Sequence, residues 1–266
     1  MTSGFVADDR AVLRVSGADH LKFLQDLVTN STKGLGAGAV YTALLTPQGK
    51  YLADFFMVPE GDAVLIDADA GQVADLARRL MMYKLRAAVD IAPAGLEVVL
   101  GTGPSPEGAF ADPRDTGLGW RLYQPEGQGL PDGVATWDPA AYEALRIAHC
   151  VPKSGVELLA NETFILEAGF DRLNGVDFRK GCYVGQEVTA RMRHKTELRK
   201  GIRPVLVEQP APEPGTEIRR DGKVVGTLHS SLGGAGLAYL RFDRIGPGME
   251  ADGKAVQLAE AGAETA

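Results

Sequence analysis

Two stretches of the chain place apolar residues three and four positions apart, the spacing that gives a helix one hydrophobic face. The first follows a capping-box pattern at residues 16–19 and ends near residue 30. The second covers residues 72–86. A third helix is predicted from the aspartate–proline pair at 138–139, a helix-start signal, to about residue 150.

Short apolar runs bounded by glycine, proline or polar residues predict strands around the first two helices. The predicted strands cover residues 11–15, 41–46, 51–58, 63–67, 88–91 and 96–100. Strands in meander order with one helix crossing between them are typical of an α+β domain.

The pattern changes after Lys200, where short strands alternate with turns at 202–207, 217–220, 223–228 and 236–241. The pair at 221–222 is Asp-Gly, and both residues tolerate the positive φ angles of a two-residue hairpin turn. The last part of the chain is therefore predicted to form a small β-barrel or sandwich.

Composition places the chain among ordinary globular proteins, with 45% hydrophobic and 24% charged residues. A net charge of −7 argues against direct nucleic-acid binding through the whole surface, because phosphate contacts need a basic face. No apolar run approaches 18 residues, and the amino end lacks a secretory-signal pattern. We therefore expect a cytoplasmic protein without a membrane partner.

The cysteines and histidines are scattered. Cys150 and Cys182 lie 32 positions apart, and the four histidines show no ligand-pair spacing. Neither a disulfide framework nor a metal site is predicted.

Chemistry is predicted at one segment, Lys180–Glu187, where Gly181 and Gly185 bracket the Cys-Tyr-Val tripeptide. Glycines allow a sharp turn or a close approach to a ligand. Arg179 and Lys180 precede Cys182, and nearby cations favour the reactive thiolate. The alternative is a buried, inert cysteine in a glycine-rich turn.

The same segment, followed by Val-Thr-Ala-Arg at 188–191, resembles the hallmark of the YgfZ-type folate-binding proteins, relatives of the glycine-cleavage aminomethyltransferase. Eight consecutive positions are a specific signal. Residues 27–30, 41–50 and 54–55 are similar to the amino-terminal half of that family, and residues 225–227, 230–231 and 236–238 are similar to its carboxy-terminal barrel.

The resemblance implies an α+β, GcvT-like fold in which ferredoxin-like α/β subdomains form a ring around a central opening, with a small C-terminal β-barrel. It implies a folate-binding region at 1–198, made of 1–45 with 109–198 and of 46–108, and a barrel domain at 199–266. The implied cofactor is tetrahydrofolate or a one-carbon derivative. The implied role is accessory to iron–sulfur cluster assembly or repair, indirectly serving tRNA modification, with iron–sulfur proteins or assembly factors as transient partners.

The resemblance also assigns candidate residues. Cys182 is the functional thiol, accompanied by Lys180 and Gln186. Glu167, in a Leu-Glu-Ala-Gly stretch, is the predicted pterin partner, since a carboxylate accepts two parallel hydrogen bonds; on spacing alone a helix-surface glutamate is equally consistent. The candidate folate-binding residues are Asp54, Glu167, Tyr183, Glu187 and Arg191.

One departure bears on the reaction. The aminomethyltransferases carry two adjacent aspartates where this chain has Ala53-Asp54. One-carbon transfer needs a carboxylate placed to handle a proton, so the loss of one aspartate favours folate binding over transfer. The alternatives are a folate-dependent one-carbon (aminomethyl or methyl) transferase and a structural binding module with an incidental cysteine.

Residues 179–203 form a local basic stretch, with eight basic and two acidic side chains. It is predicted either as solvated strand-edge charge or as an electropositive rim that attracts the folate glutamate tail or an acidic partner protein.

Overall fold

The computed structural model describes residues 1–195 and 197–259, so the end of the predicted barrel domain lies outside the described residues. The helices are α1 (His20–Leu27), α2 (Val73–Lys84), α3 (Pro139–Ala148) and α4 (Gln186–Lys195). The strands are β1 (Ser3–Val6), β2 (Arg10–Ser16), β3 (Val40–Leu45), β4 (Tyr51–Glu60), β5 (Ala63–Asp69), β6 (Asp90–Pro93), β7 (Leu96–Thr102), β8 (Phe110–Ala111), β9 (Trp120–Pro125), β10 (Ala135–Thr136), β11 (Lys200–Val207), β12 (Glu217–Arg220), β13 (Lys223–Leu232), β14 (Ala235–Arg241), β15 (Met249–Ala251) and β16 (Lys254–Leu258).

The three predicted helices are confirmed as α1, α2 and α3. The Asp138 carboxylate caps α3 as expected, accepting a hydrogen bond from the backbone N–H of Ala140 at 2.9 Å. The predicted capping box before α1 is wrong. The Asp19 carboxylate accepts instead from the N–H of Ala88 at 2.8 Å, so it ties the start of α1 to the segment before β6.

The apolar pattern did not predict α4. The apolar residues of α4 are Val188, Ala190 and Met192, spaced two apart, so no stripe at helical spacing exists to signal it. Tertiary contacts at its amino end decide its position.

The first sheet has the strand order β3-β4-β5-β2-β6, with α1 and α2 packed on one face. β4 is buried along most of its length because both of its faces are covered. Phe55 and Met57 pack toward the two helices, whereas Phe56 and Val58 belong to the apolar cluster on the opposite face. Since side chains alternate along a strand, Asp54 shares the face of Phe56, toward the centre of the molecule.

The second sheet has the order β10-β1-β7-β9-β8, and only its β1–β10 pair is parallel. The predicted boundary between residues 45 and 46 falls inside the first sheet, between β3 and β4, which are antiparallel neighbours. The strands of the first sheet therefore come from both predicted subdomains, residues 1–45 and residues 46–108.

The carboxy-terminal strands close into a six-stranded barrel in the order β11-β14-β13-β12-β15-β16. Asp221 and Gly222 adopt φ angles of 50° and 73°, which confirms the predicted hairpin turn between β12 and β13. The predicted α+β fold with a small C-terminal β-barrel is thus confirmed. The first barrel strand begins at Lys200, next to the predicted boundary at 198/199.

Candidate functional site

Asp54 lies at the inner end of a cavity of about 520 Å³ between β1, β4 and α3. Its carboxylate is buried and accepts three hydroxyl hydrogen bonds, from Tyr41 at 2.9 Å, Tyr51 at 2.7 Å and Ser154 at 2.5 Å. Burial, followed by the Asp54 charge, raises the pKa of both tyrosines well above the usual value, so both remain donors. The three hydroxyls thus occupy most of the acceptor capacity of the Asp54 carboxyl group.

Aromatic side chains form part of the cavity wall. Phe5 of β1 and Tyr142 of α3 both line it, with ring centroids 5.7 Å apart. Phe56 lines it from β4, next to Asp54 on the same strand face. A flat, apolar ring system could therefore stack inside the cavity.

Three arginines that line the cavity form a ladder of ion pairs with two aspartates buried behind them. Asp67 is fully buried and accepts from Arg10 at 2.7 Å and from Arg121. Asp112 accepts from Arg114 at 2.8 Å and from Arg121 at 3.2 Å. Burial alone would raise the pKa of Asp112, but the Arg114 and Arg121 charges outweigh it and hold the pKa at about 2.

The charged side chains that line the cavity balance, with five carboxylates and five cations. The Arg121 guanidinium lies 3.5 Å from the centre of the Phe56 ring. Its Nε is buried and has no hydrogen-bond partner among the described residues. A buried donor without a partner is costly, and a polar ligand in the cavity could satisfy it.

Sequence reasoning did not find Arg10, Arg114, Arg121 or Tyr142. They come from four separated segments, and none stands in a recognisable motif. No local signal in the sequence could have found them.

Glu167 does not line this cavity. Its carboxylate is buried and accepts a hydrogen bond from the Tyr239 hydroxyl of β14 at 2.6 Å, with the Lys200 ammonium 3.9 Å away. Burial, and then the bond to Glu167, raise the pKa of Tyr239. Tyr239 and Lys200 line a separate cavity of about 710 Å³ beside the barrel. The structure therefore places Glu167 at the junction between barrel and body, and its pterin role stays a prediction.

Cys182 is exposed, in a loop that docks on the first sheet. The Lys180 ammonium donates to the carbonyl of Val28 and, at 2.9 Å, to that of Asn30, just after α1. Burial lowers the pKa of Lys180 to about 8. Tyr183, directly after the cysteine, is buried in the core. Lys180 and Tyr183 thus anchor the loop on both sides and leave the thiol at the surface.

Gly185 lets the start of α4 approach the turn between β3 and β4. Its φ is +83°, and a Cβ added there would lie 2.6 Å from the carbonyl oxygen of Thr46. Gly49, in the same turn, is equally restricted, because its Cβ would lie 2.8 Å from Val188. Gly181 also has a positive φ, of +95°, but no atom lies within 4 Å of its Cβ position.

We expect Gly185→Ala to be clearly more destabilising than Gly181→Ala. Both substitutions force alanine into the left-handed region, which costs about 1–2 kcal/mol. Only Gly185→Ala adds a collision with backbone, for about 1–3 kcal/mol more. Urea unfolding of both variants would measure the difference, and equal losses would show that the close contact at Gly185 does not hold the loop.

The remaining predicted residues lie on α4. Gln186 begins the helix, with its N–H donating to the Tyr183 carbonyl at 3.3 Å, and Glu187 and Arg191 are exposed. Neither these residues nor the Cys182 loop line the 520 Å³ cavity. The structure therefore distributes the predicted site over three places: Asp54 in the cavity, Glu167 at the barrel and the cysteine loop at the surface.

The basic stretch does not form a rim around the 520 Å³ cavity, since none of its residues lines it. Arg193 stacks on Phe178 at 3.5 Å, and Arg203 stacks on Phe242 at 4.0 Å. The side chain of Lys195 lies outside the described part of the chain. The folate-tail hypothesis thus gains no support from this geometry.

Within the described residues, no group of three or more histidine, cysteine or carboxylate side chains is arranged to hold a metal ion. In the same part of the chain, no helix combines the length and apolar character needed to cross a membrane.

Comparison with solved structures confirms the fold. The chain superposes on the glycine cleavage system aminomethyltransferase T from Bartonella henselae with a TM-score of 0.79, covering 97% of this chain and 85% of that protein. The sequence identity is 14%, so the likeness concerns the fold alone. Residues 199–262 match the family model of the CAF17 C-terminal β-barrel domain.

Three sequence relatives are named as iron–sulfur cluster assembly factor IBA57 or its homologue. The human and Mus musculus proteins are each 32% identical, over 91% of this chain and 78% of theirs. The Pyricularia oryzae homologue is 34% identical over 84% of this chain, which spans 62% of that protein, less than two thirds of its length.

Each of these relatives is named as mitochondrial, which contradicts the cytoplasmic location predicted from the sequence. A secretory signal and a mitochondrial targeting segment have different patterns, so the lack of the first does not imply the cytoplasm. The relatives' names also show that the YgfZ-type family predicted from the sequence is a close relative of this chain's family and not that family itself. At 32% identity to a human protein of which it covers 78%, the chain belongs to the family of the iron–sulfur cluster assembly factor IBA57.

Proposed function

We propose that this chain is a tetrahydrofolate-binding accessory protein for iron–sulfur cluster assembly or repair, with Cys182 as its functional thiol. The observation that carries the proposal is the exposed thiol on an anchored loop, in a chain whose relatives are named as iron–sulfur cluster assembly factors.

The structure of the loop suits a transient contact. A structural cysteine is usually buried, whereas Cys182 is exposed between the anchored Lys180 and the buried Tyr183. Clusters are commonly held by four protein ligands. One thiol of this chain would therefore share a cluster with other ligands, or contact a partner thiol, during assembly.

The 520 Å³ cavity fits a folate in size and chemistry. Ligand cavities typically measure about 300–1,000 Å³ and combine apolar walls with a few placed polar groups. Phe5 and Tyr142 offer aromatic surface, and the unpartnered Arg121 Nε offers a donor. The balanced charge of the cavity lining suits an uncharged flat heterocycle such as a pterin better than a multiply charged group.

Tetrahydrofolate, when bound, supplies a pterin ring system able to carry a one-carbon unit. In this proposal Asp54 and Arg121 would orient the ring by hydrogen bonds, while the aromatic wall would exclude water. The cavity is lined entirely by residues before 155, which supports placing folate binding in the proposed region 1–198. The proposed barrel domain at 199–266 would then have another role.

A one-carbon transferase is the second candidate function, and the surroundings of Asp54 favour it less. Transfer needs a group free to accept or donate a proton. The Asp54 carboxylate already accepts from three hydroxyls, so it is better suited to holding a ligand than to moving a proton. Turnover with an aminomethyl or methyl donor would favour the transferase.

Calorimetric titration with tetrahydrofolate tests the cavity. We expect Asp54→Asn to weaken binding at least tenfold, about 1.4 kcal/mol. The asparagine side chain is uncharged, and its N–H₂ group would face the hydroxyl donors without being able to accept from them. Cys182→Ser and the exposed control Asp62→Asn should bind like wild type. Equal affinities for all four proteins would remove the assignment of folate to this cavity, and no binding by wild type would remove the folate part of the proposal.

A deletion strain tests the iron–sulfur part. The wild-type chain should restore the activities of cluster-dependent enzymes in that strain, and failure to do so would contradict the proposed role.

A further inference from the structure

A groove of about 390 Å³ runs between α1 and the end of α2, on the helix-covered side of the first sheet. It is lined by residues 19–27 and 83–87, and we call it the α1–α2 groove. Phe23 and Leu27 of α1 form its apolar floor, and Tyr83 and Leu85 form the opposite wall. The groove is separate from both cavities described above.

Leu85 is the unusual residue of this groove. It follows the last residue of α2 with φ 47° and ψ −105°, a conformation that is strained for any residue with a side chain. The strain is not offset by burial, because Leu85 is 87% exposed. The conformation belongs to a turn after α2, in which the Ala87 N–H donates to the Lys84 carbonyl at 2.8 Å. Glycine would fit this turn position without strain, so packing within the chain does not explain the exposed leucine side chain.

Two methionines next to the groove enlarge the apolar surface. Met81 and Met82, in the last turn of α2, are 58% and 71% exposed. Methionine adapts its shape to a partner and is common at protein-binding surfaces. Contiguous exposed apolar side chains with a polar rim are typical of an interaction site.

The groove adjoins the cysteine loop through α1. The Gln25 side chain of α1 donates to the backbone carbonyl of Lys180 at 3.3 Å, and the Lys180 ammonium is bonded just after the same helix. Asp26, which lines the groove, also acts electrostatically on Lys180. A protein seated in the groove would therefore reach past one helix to Cys182.

Charge indicates what kind of partner fits. Arg86, beside Leu85, and Arg179, beside the cysteine loop, are exposed, and neither has a carboxylate within 4.0 Å among the described side chains. The groove itself is lined by three cations, Lys22, Lys84 and Arg86, and by two carboxylates, Asp19 and Asp26. This mixture of signs differs from the cluster of basic residues that binds an anionic membrane surface. Isolated cations within a mixed rim match carboxylates placed at specific positions on a protein.

We propose that the α1–α2 groove docks a partner protein that presents an apolar ridge flanked by carboxylates and that reaches Cys182. The inference rests on the proposed function in one respect, namely that Cys182 is where the partner is used.

Photocrosslinking in cells tests the docking site, with a benzophenone amino acid placed singly at Met82, at Glu187 and at the exposed barrel residue Leu206. We expect the Met82 and Glu187 positions to trap the same protein, and Leu206 not to trap it. The inference is overturned if Met82 traps nothing, lipid, a second copy of this chain, or a protein that Glu187 does not reach. If both positions trap one protein that has no iron–sulfur role, docking stands and the proposed function fails.

Leu85→Gly provides the second test. Glycine relieves the strained backbone, so its thermal midpoint should equal or exceed that of wild type, while the Met82 crosslink yield falls at least fivefold. Leu206→Gly, the matched control, should leave the yield unchanged. A Leu85→Gly yield equal to wild type overturns the inference, and the thermal midpoint measured in parallel shows that the fold is intact.

Discussion

Replacing Asp67 by asparagine is expected to lower the free energy of unfolding by about 3–5 kcal/mol, the usual effect of removing one partner from a buried ion pair. Asp67 is fully buried and accepts hydrogen bonds from Arg10, Arg121 and Tyr123. The amide would leave two buried guanidiniums without adequate counter-charge. Urea unfolding at neutral pH would measure the loss.

Asp75→Asn is the matched control, because Asp75 also accepts from two arginines, Arg78 and Arg79, but on the exposed side of α2. Surface pairs contribute about 0–1 kcal/mol, so the control should be close to wild type. Similar losses at both positions would show that burial does not set the strength of the Asp67 ladder.

The Asp67 effect should also depend on pH. Burial by itself would raise the pKa of Asp67, but Arg10 and Arg121 outweigh it and hold the folded-state pKa below the ordinary value of 3.8. The stabilisation is therefore complete above that ordinary value and is lost as pH falls through the folded-state pKa. The difference between wild type and Asp67→Asn should shrink on acidification, and a constant difference would contradict this origin.

Cys182→Ser is expected to abolish the recovery of cluster-dependent enzyme activities in a deletion strain, while changing the free energy of unfolding by less than about 0.5 kcal/mol. The small stability effect follows from the exposure of the thiol. The large functional effect follows from the proposed role, since a hydroxyl cannot replace a thiolate as a cluster ligand or nucleophile.

The control for Cys182→Ser is Cys150→Ser, at the second free cysteine. Cys150 is half-buried against the core, and burial raises the pKa of its thiol, as expected for an inert cysteine. Its variant should lose about 1 kcal/mol of stability yet keep full function. Full function of Cys182→Ser would instead favour a binding module with an incidental cysteine.

Features that depend on neighbours in the chain were predictable. The Asp138 cap needs only the N–H two residues later, and the Asp221-Gly222 turn needs only two residues with positive φ. The cysteine motif is likewise a continuous segment, so its sequence could be recognised. The exposure of Cys182 was not predictable, because it depends on how Lys180 and Tyr183 are anchored.

The failed cap has a tertiary cause. Asp19 had the local pattern of a cap, but the N–H of Ala88, 69 residues away, took its carboxylate. Glu167 accepts a hydrogen bond from Tyr239 of the barrel, a contact that no local pattern records, and its pterin role stays a prediction.

The sequence by itself determined the three amphipathic helices, the turn-rich barrel and the cysteine motif, because each depends on residues close together in the chain. Only the tertiary structure decided that Asp54 belongs with Arg114 and Arg121, that the thiol lies apart from their cavity, and that a strained Leu85 faces solvent. Such relations join distant segments, as with Lys180 and Val28, which are 152 residues apart. They depend on packing and charge pairing in three dimensions, which no local pattern records.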